Sequence, residues 1–130
     1  MAGALPLNAD PQGLLLFAHG ARDASWALPF EAVARLCRER LGEGRVQLAF
    51  LEFMTPNLLS AGAALAAQGC RTVDIVPLFL GAGGHVRKDI PALLAQLQAA
   101  HPQVAWRLQP AVGEAPAVIA AMAAVALEPR

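Results

Sequence analysis

Four times along this chain a short apolar run gives way to a longer stretch whose apolar residues return at helical spacing, and that alternation restricts the fold more than any single motif. The first run, Gly13-Leu14-Leu15-Leu16-Phe17-Ala18, stops at His19-Gly20. Trp26, Phe30, Val33, Cys37 and Leu41 then recur as one helical stripe, while Glu31, Arg35 and Glu39 lie on another face where they can pair along the helix. The second run, Val46-Gln47-Leu48-Ala49-Phe50-Leu51, is closed by Glu52. Asn57 is the expected N-cap of a helix that carries Leu58, Leu59, Leu65 and Ala66 and ends at Gly69. The third run covers residues 72–80 and ends or kinks at Pro77, which has no amide to give to a ladder. A glycine loop follows, then a helix with Asp89 near its cap, Pro91 in its first turn and Leu94 and Leu97 on its buried side. Residues 104–108 read as a fourth strand, and Glu114 with Pro116 opens a last helix carrying Ile119 and Met122.

Strands without polar alternation are covered on both faces, and strands that alternate with helices form parallel βαβ units. The expected fold class is therefore α/β, a doubly wound, mainly parallel sheet of four βα units forming a single domain over residues 13–130, after an N-terminal tail over residues 1–12. A chain of 130 residues fits one domain, and 56% hydrophobic residues against 15% charged ones exclude a disordered segment. Ten basic residues balance ten acidic ones, so no general attraction to nucleic acid or to an anionic membrane is expected. Cys37 and Cys70 match neither a disulfide framework nor a CxxC pair, which fits a reducing cytoplasm. Residues 1–12 lack the charged and apolar regions of a secretory signal, and residues 115–127 fall short of the roughly 18 apolar residues of a membrane span. A soluble cytoplasmic protein is expected.

In such sheets ligands bind beyond the carboxyl ends of the strands, at a switch in topology. His19 ends strand one, Glu52 ends strand two and His85 follows the glycine loop after strand three, so all three are expected on one rim. Two imidazoles and a carboxylate suit a divalent first-row transition ion. Each residue also has a plainer reading, as a surface or hydrogen-bonded structural group. The run Gly81-Ala82-Gly83-Gly84 either terminates a strand or cradles phosphate at a helix start, though it lacks the dinucleotide fingerprint and the Lys-Ser/Thr of a P-loop. Arg22, Arg87 and Lys88 flank the proposed site and suit a polyanionic ligand, or are solvated loop charges with Asp23 and Asp89 as partners. His101 is assigned no role, and Trp26, Phe30 and Trp106 read as core or pocket wall.

Three segments together resemble the CbiX/SirB family of sirohydrochlorin chelatases: Phe17-Ala18-His19-Gly20-Ala21-Arg22-Asp23, Ala49-Phe50-Leu51-Glu52 before Pro56, and Val76-Pro77-Leu78-Phe79-Leu80 running into Gly83-Gly84-His85-Val86-Arg87-Lys88-Asp89-Ile90-Pro91. The resemblance runs from about residue 13 to residue 127. It implies a short class II chelatase, a lyase that inserts Co2+, or Fe2+ or Ni2+, into sirohydrochlorin for cobalamin or siroheme-type tetrapyrroles. It implies no organic cofactor, with the metal itself a substrate, and a homodimer with sites at or near its interface. By the same resemblance His19 is a metal ligand and proton acceptor, His85 the second metal ligand, and Leu80, Gly81, Ala82, Gly83 and Gly84, with Thr55, are tetrapyrrole contacts. Glu52 joins the site from its position alone. Ala21 stands where the family commonly has serine, so that hydroxyl is missing here.

Metal insertion must strip water from a cation, present it to one face of a macrocycle and remove the pyrrole N–H protons. Neutral imidazoles hold a cation while leaving exchangeable positions, and a group with pKa near 6.5 also takes protons at neutral pH. Arg22, Arg87 and Lys88 are the expected partners of the substrate's carboxylates. The rival expectations are a non-catalytic module that carries a metal or tetrapyrrole for delivery, and a phosphate or nucleotide binder built on the glycine loop.

Overall fold

The computed structural model describes residues 11–81 and 83–129, and for residues 84–87 it describes the backbone only. The elements are β1 (Gln12–Ala18), α1 (Leu28–Leu41), β2 (Val46–Phe50), α2 (Leu58–Ala67), β3 (Thr72–Pro77), α3 (Gly84–Ala100), β4 (Ala105–Leu108) and α4 (Pro116–Leu127), with 3-10 turns at Ala24–Ala27, Glu43–Arg45 and Val112–Glu114. All strand pairs are parallel and the order is β2-β1-β3-β4. The chain leaves β1 toward one edge and β3 toward the other, so the switch point lies between β1 and β3.

Alternation along the strands divides the core in two. Leu15, Phe17, Val73 and Ile75, with Trp106 of β4, face α2 and α3, where Leu58, Ala61, Leu65 and Leu97 bury against them. Leu16, Ala18, Val46, Leu48 and Phe50 face α1, which approaches through the small Ala34 with Phe30 and Cys37 beside it. The central β1 is thus covered on both faces, which is why its sequence runs apolar without a break.

The expected elements are present, with shifted ends. β1 starts at Gln12, paired with Thr72, inside the expected tail; residues 1–10 of that tail lie outside the described residues. Asn57 caps α2 as expected, its Oδ1 accepting from Ser60 N at 2.8 Å. α3 begins at Gly84, not near Asp89, because extended Gly83 (φ −69°, ψ 166°) already takes the N-cap conformation. Pro91 therefore lies inside α3 and not in its first turn, removing one backbone bond there. On α1, Val33 and Leu41 face solvent, since the buried face centres on Ala34. Among the described residues the ion pair of this helix is Arg38 with Glu43, at 4.0 Å, in place of a Glu31–Arg35–Glu39 ladder.

β4 is an edge strand with one wet face. Arg107 donates to Asp74 on β3 through Nε (2.8 Å) and Nη2 (3.1 Å), and Gln109 Nε2 donates to the same carboxylate at 3.1 Å. Beyond it α4 starts with Pro116 at its first turn and packs no buried residue against the sheet. Among the described residues no helix is long and apolar enough to cross a membrane.

Candidate active site

The parallel register of β1 and β2 sets Ala18 opposite Phe50, and the ladder continues one step past both strands: Leu51 N donates to Ala18 O (2.9 Å) and Glu52 N to His19 O (3.0 Å). That extension brings two side chains 33 positions apart into contact. His19 Nε2 lies 3.0 Å from Glu52 Oε1, with both side chains 43% exposed. The imidazole is seated edge-on against Phe79, with centroids 6.3 Å apart, and Phe79 in turn meets Phe17 edge-on in the core. The rim pair is therefore open to solvent in front and backed by buried rings.

Two close approaches hold the rim loops. Gly20, at φ +95°, has the Glu52 carbonyl where a β-carbon would stand. Gly113 has the Leu80 main chain in the same relation, and its N–H donates to Phe79 O at 2.8 Å. The 3-10 turn after β4 thus supports the Leu80 segment from behind and leaves the Leu80 side chain exposed.

Of the other expected site residues, Thr55, Gly81, Gly83 and Lys88 are exposed. The start of α3, which carries His85, Arg87 and Lys88, directly follows the loop after β3, the strand that pairs with β1. The side chains of His85 and Arg87, and Ala82, lie outside the described residues. Arg22 does not pair with Asp23. Asp23 Oδ1 instead accepts from Ser25 Oγ (2.8 Å) and Ser25 N (2.9 Å), and these bonds hold its carboxyl below the usual range. His101 closes α3 at the opposite end of the sheet and accepts from Trp106 Nε1 through its carbonyl at 3.3 Å, which is a structural part. Trp106 is buried in the core, and Trp26 and Phe30, ring against ring with centroids 4.6 Å apart, are half-buried against its α1 side.

Two features escaped the sequence reading. An apolar cavity of about 240 Å³ lies on the β3–β4 side of the rim, lined by residues such as Phe79, Ile90, Pro91, Leu108 and Ala111. Phe53, beside Glu52, is exposed and lies under the Arg22 guanidinium, 4.9 Å from Cζ to ring centroid. The available signal was an aromatic residue following a rim carboxylate outside any apolar run.

The CbiX family model matches residues 13–128. The chain belongs to that family. Among its relatives, the sirohydrochlorin cobaltochelatase of Sulfurisphaera tokodaii is 34% identical over 66% of this chain and 70% of its own length. The chloroplastic sirohydrochlorin ferrochelatase of Arabidopsis thaliana is 31% identical over 66% of this chain, a match that spans 38% of that longer protein. The crystal structure of a cobalamin biosynthesis CbiX protein from Marinobacter aquaeolei superposes with a TM-score of 0.78 at 35% identity, covering 89% of this chain and 94% of that one. As in that CbiX structure, the unit is one small α/β domain, in agreement with the expected fold.

Proposed function

We propose that this protein is a metal chelatase, a lyase that inserts a divalent transition ion into sirohydrochlorin, with His19, His85 and Glu52 as the working residues. The observation that carries this reading is the 3.0 Å approach of His19 Nε2 to Glu52 Oε1 at the switch-point rim. Two donors on one ion, with bonds of about 2.1 Å at right angles, stand about 3 Å apart. The pair therefore has the spacing to share a proton or to grip a cation. Binding the ion displaces the shared proton to solvent. When the ion moves on to the macrocycle nitrogens, the vacated pair accepts a pyrrole proton, and a second follows after the first has left to water. His85 is the second imidazole ligand in this scheme, and the metal is a substrate that leaves with the product.

The names of the relatives, one for cobalt and one for iron, support a first-row ion, and we take Co2+ as the favoured substrate. Nitrogen donors favour such ions over magnesium. Arg22, Arg87 and Lys88 meet the carboxylates of the tetrapyrrole, whose flat ring rests on the segment formed by Leu80, Gly81, Ala82, Gly83 and Gly84, with Thr55 at the other side. The product serves cobalamin or siroheme-type tetrapyrroles. The active form is a homodimer in the cytoplasm; the free thiols of Cys37 and Cys70 support a reducing compartment.

Anaerobic incubation with sirohydrochlorin and Co2+ tests the reading. A metal-dependent absorbance change well above the protein-free rate supports it. A binding shift without acceleration assigns the protein to delivery, and no spectral response at all overturns both.

A further inference from the structure

Phe53 is the most unusual residue at the rim. Its φ of 67° lies in the left-handed region, and Met54 N donates to Glu52 O across it at 2.8 Å. This closes a three-residue turn of the rare, strained sense, a conformation that suits glycine and disfavours a bulky aromatic. The surroundings force the turn: Glu52 N is bound to His19 O, and Phe50 N donates to Pro56 O at 2.9 Å. The ring gains little from burial, since Phe53 is 57% exposed. Strain kept at an exposed position beside a reactive pair points to a use for the side chain.

That use is visible in Arg22. Its guanidinium carbon lies 4.9 Å from the Phe53 centroid, and among the described residues no ion pair or hydrogen bond ties its N–H groups. The nearest acidic residue in sequence, Asp23, is already engaged by Ser25. An aromatic ring beneath a guanidinium fixes its plane through cation–π attraction while the in-plane fork stays open to a carboxylate. Arg22 reaches this place from three residues past His19, and Phe53 from one residue past Glu52, so the fork is held beside the metal-handling pair.

We infer that Phe53 is a positioning residue: it braces Arg22 as a preformed receptor for one peripheral carboxylate of the macrocycle, fixing which edge of the ring lies next to His19 and Glu52. The inference rests on the reading of sirohydrochlorin as substrate.

Insertion kinetics and metal-free absorbance titration of sirohydrochlorin test it in Phe53→Leu, Phe53→Gly, Phe53→Trp, Arg22→Gln and the Phe53→Leu/Arg22→Gln double variant. Phe53→Gly removes the ring and accepts the positive φ, so its fold is secure. The expected result is a rise of about tenfold in KM and Kd for Phe53→Leu, Phe53→Gly and Arg22→Gln, the size of one charge-assisted hydrogen bond, with kcat within about twofold. Phe53→Trp restores wild-type KM, and the double variant is no worse than Arg22→Gln alone. Unchanged KM and Kd in Phe53→Gly, or multiplied effects in the double variant, overturn the inference. A wild-type protein that inserts no metal overturns the functional reading instead. The titration then still decides: about tenfold tighter binding by wild type than by Phe53→Gly sustains the receptor, and equal or absent binding removes it.

Discussion

The carbonyl of Glu52 occupies the space that a β-carbon on Gly20 would need, which locks the loop after β2 against the loop after β1. Gly20 also sits at φ +95°, so alanine there is strained and displaces the Glu52 main chain. Gly20→Ala is expected to lower stability by roughly 1–3 kcal/mol and to open the His19–Glu52 contact, with metal insertion falling more than the melting temperature alone explains. Calorimetry and insertion assays on the same preparation check this; wild-type values in both would mean the two loops are not coupled.

The rim pair is assigned chemistry, not support. His19 and Glu52 are each 43% exposed, so removing either leaves the core untouched. His19→Ala and His85→Ala are expected to abolish insertion, and Glu52→Gln to slow it by at least about a hundredfold, the low end of a lost proton-transfer group. Far-UV circular dichroism should be unchanged in all three. Near-normal turnover in any of them excludes that residue from its role.

How far this was readable from sequence depends on what each signal reports. Asn57 announced its cap because a side-chain oxygen two or three residues from free amides acts locally. His19 and Glu52 were legible as members of one rim, because parallel strands bring their carboxyl ends to one side, but not as neighbours, because their contact depends on β2 lying beside β1, a matter of strand order on which periodicity is silent. The start of α3 was not legible, since glycines at 81, 83 and 84 resemble a loop and Pro91 resembles a helix start. Phe53 gave no periodic signal, because its role lies in a contact with Arg22 across the rim. α4 shows helical character in its sequence, but periodicity is silent on what covers it.

Cys70 is 3% exposed, and burial pushes its thiol pKa up, with the Arg45 charge opposing in part. Below the unfolded pKa, about 8.5, both states hold the proton and the thiol adds no pH dependence. As pH rises past it, the unfolded chain loses its proton first, so stability falls until the folded pKa is passed. Urea melts of wild type and Cys70→Ala between pH 7 and 10 should therefore converge toward high pH. A stability difference that stays constant over this range would contradict the assignment.

α4 is the last expectation, and it bears on assembly. Pro116–Leu127 contains no charged residue, and Ile119, Met122, Val125 and Leu127 are all exposed. A short helix that is apolar all round is not stable in water without a cover. The same chain carries a second uncovered strip on α1, where Val33, Leu36 and Leu41 line a groove. In the proposed homodimer a second copy would cover such strips symmetrically, each protomer giving one α4 and receiving another. Stable pairing needs about 800 Å² from each partner, more than scattered surface contacts supply. Sedimentation velocity at assay concentration should thus show a dimer, and Val125→Glu or Ile119→Glu should convert it to a monomer with lower helix content. A monomeric wild-type protein with full insertion activity would overturn the pairing, and glutamate variants that remain dimers would move the interface away from α4.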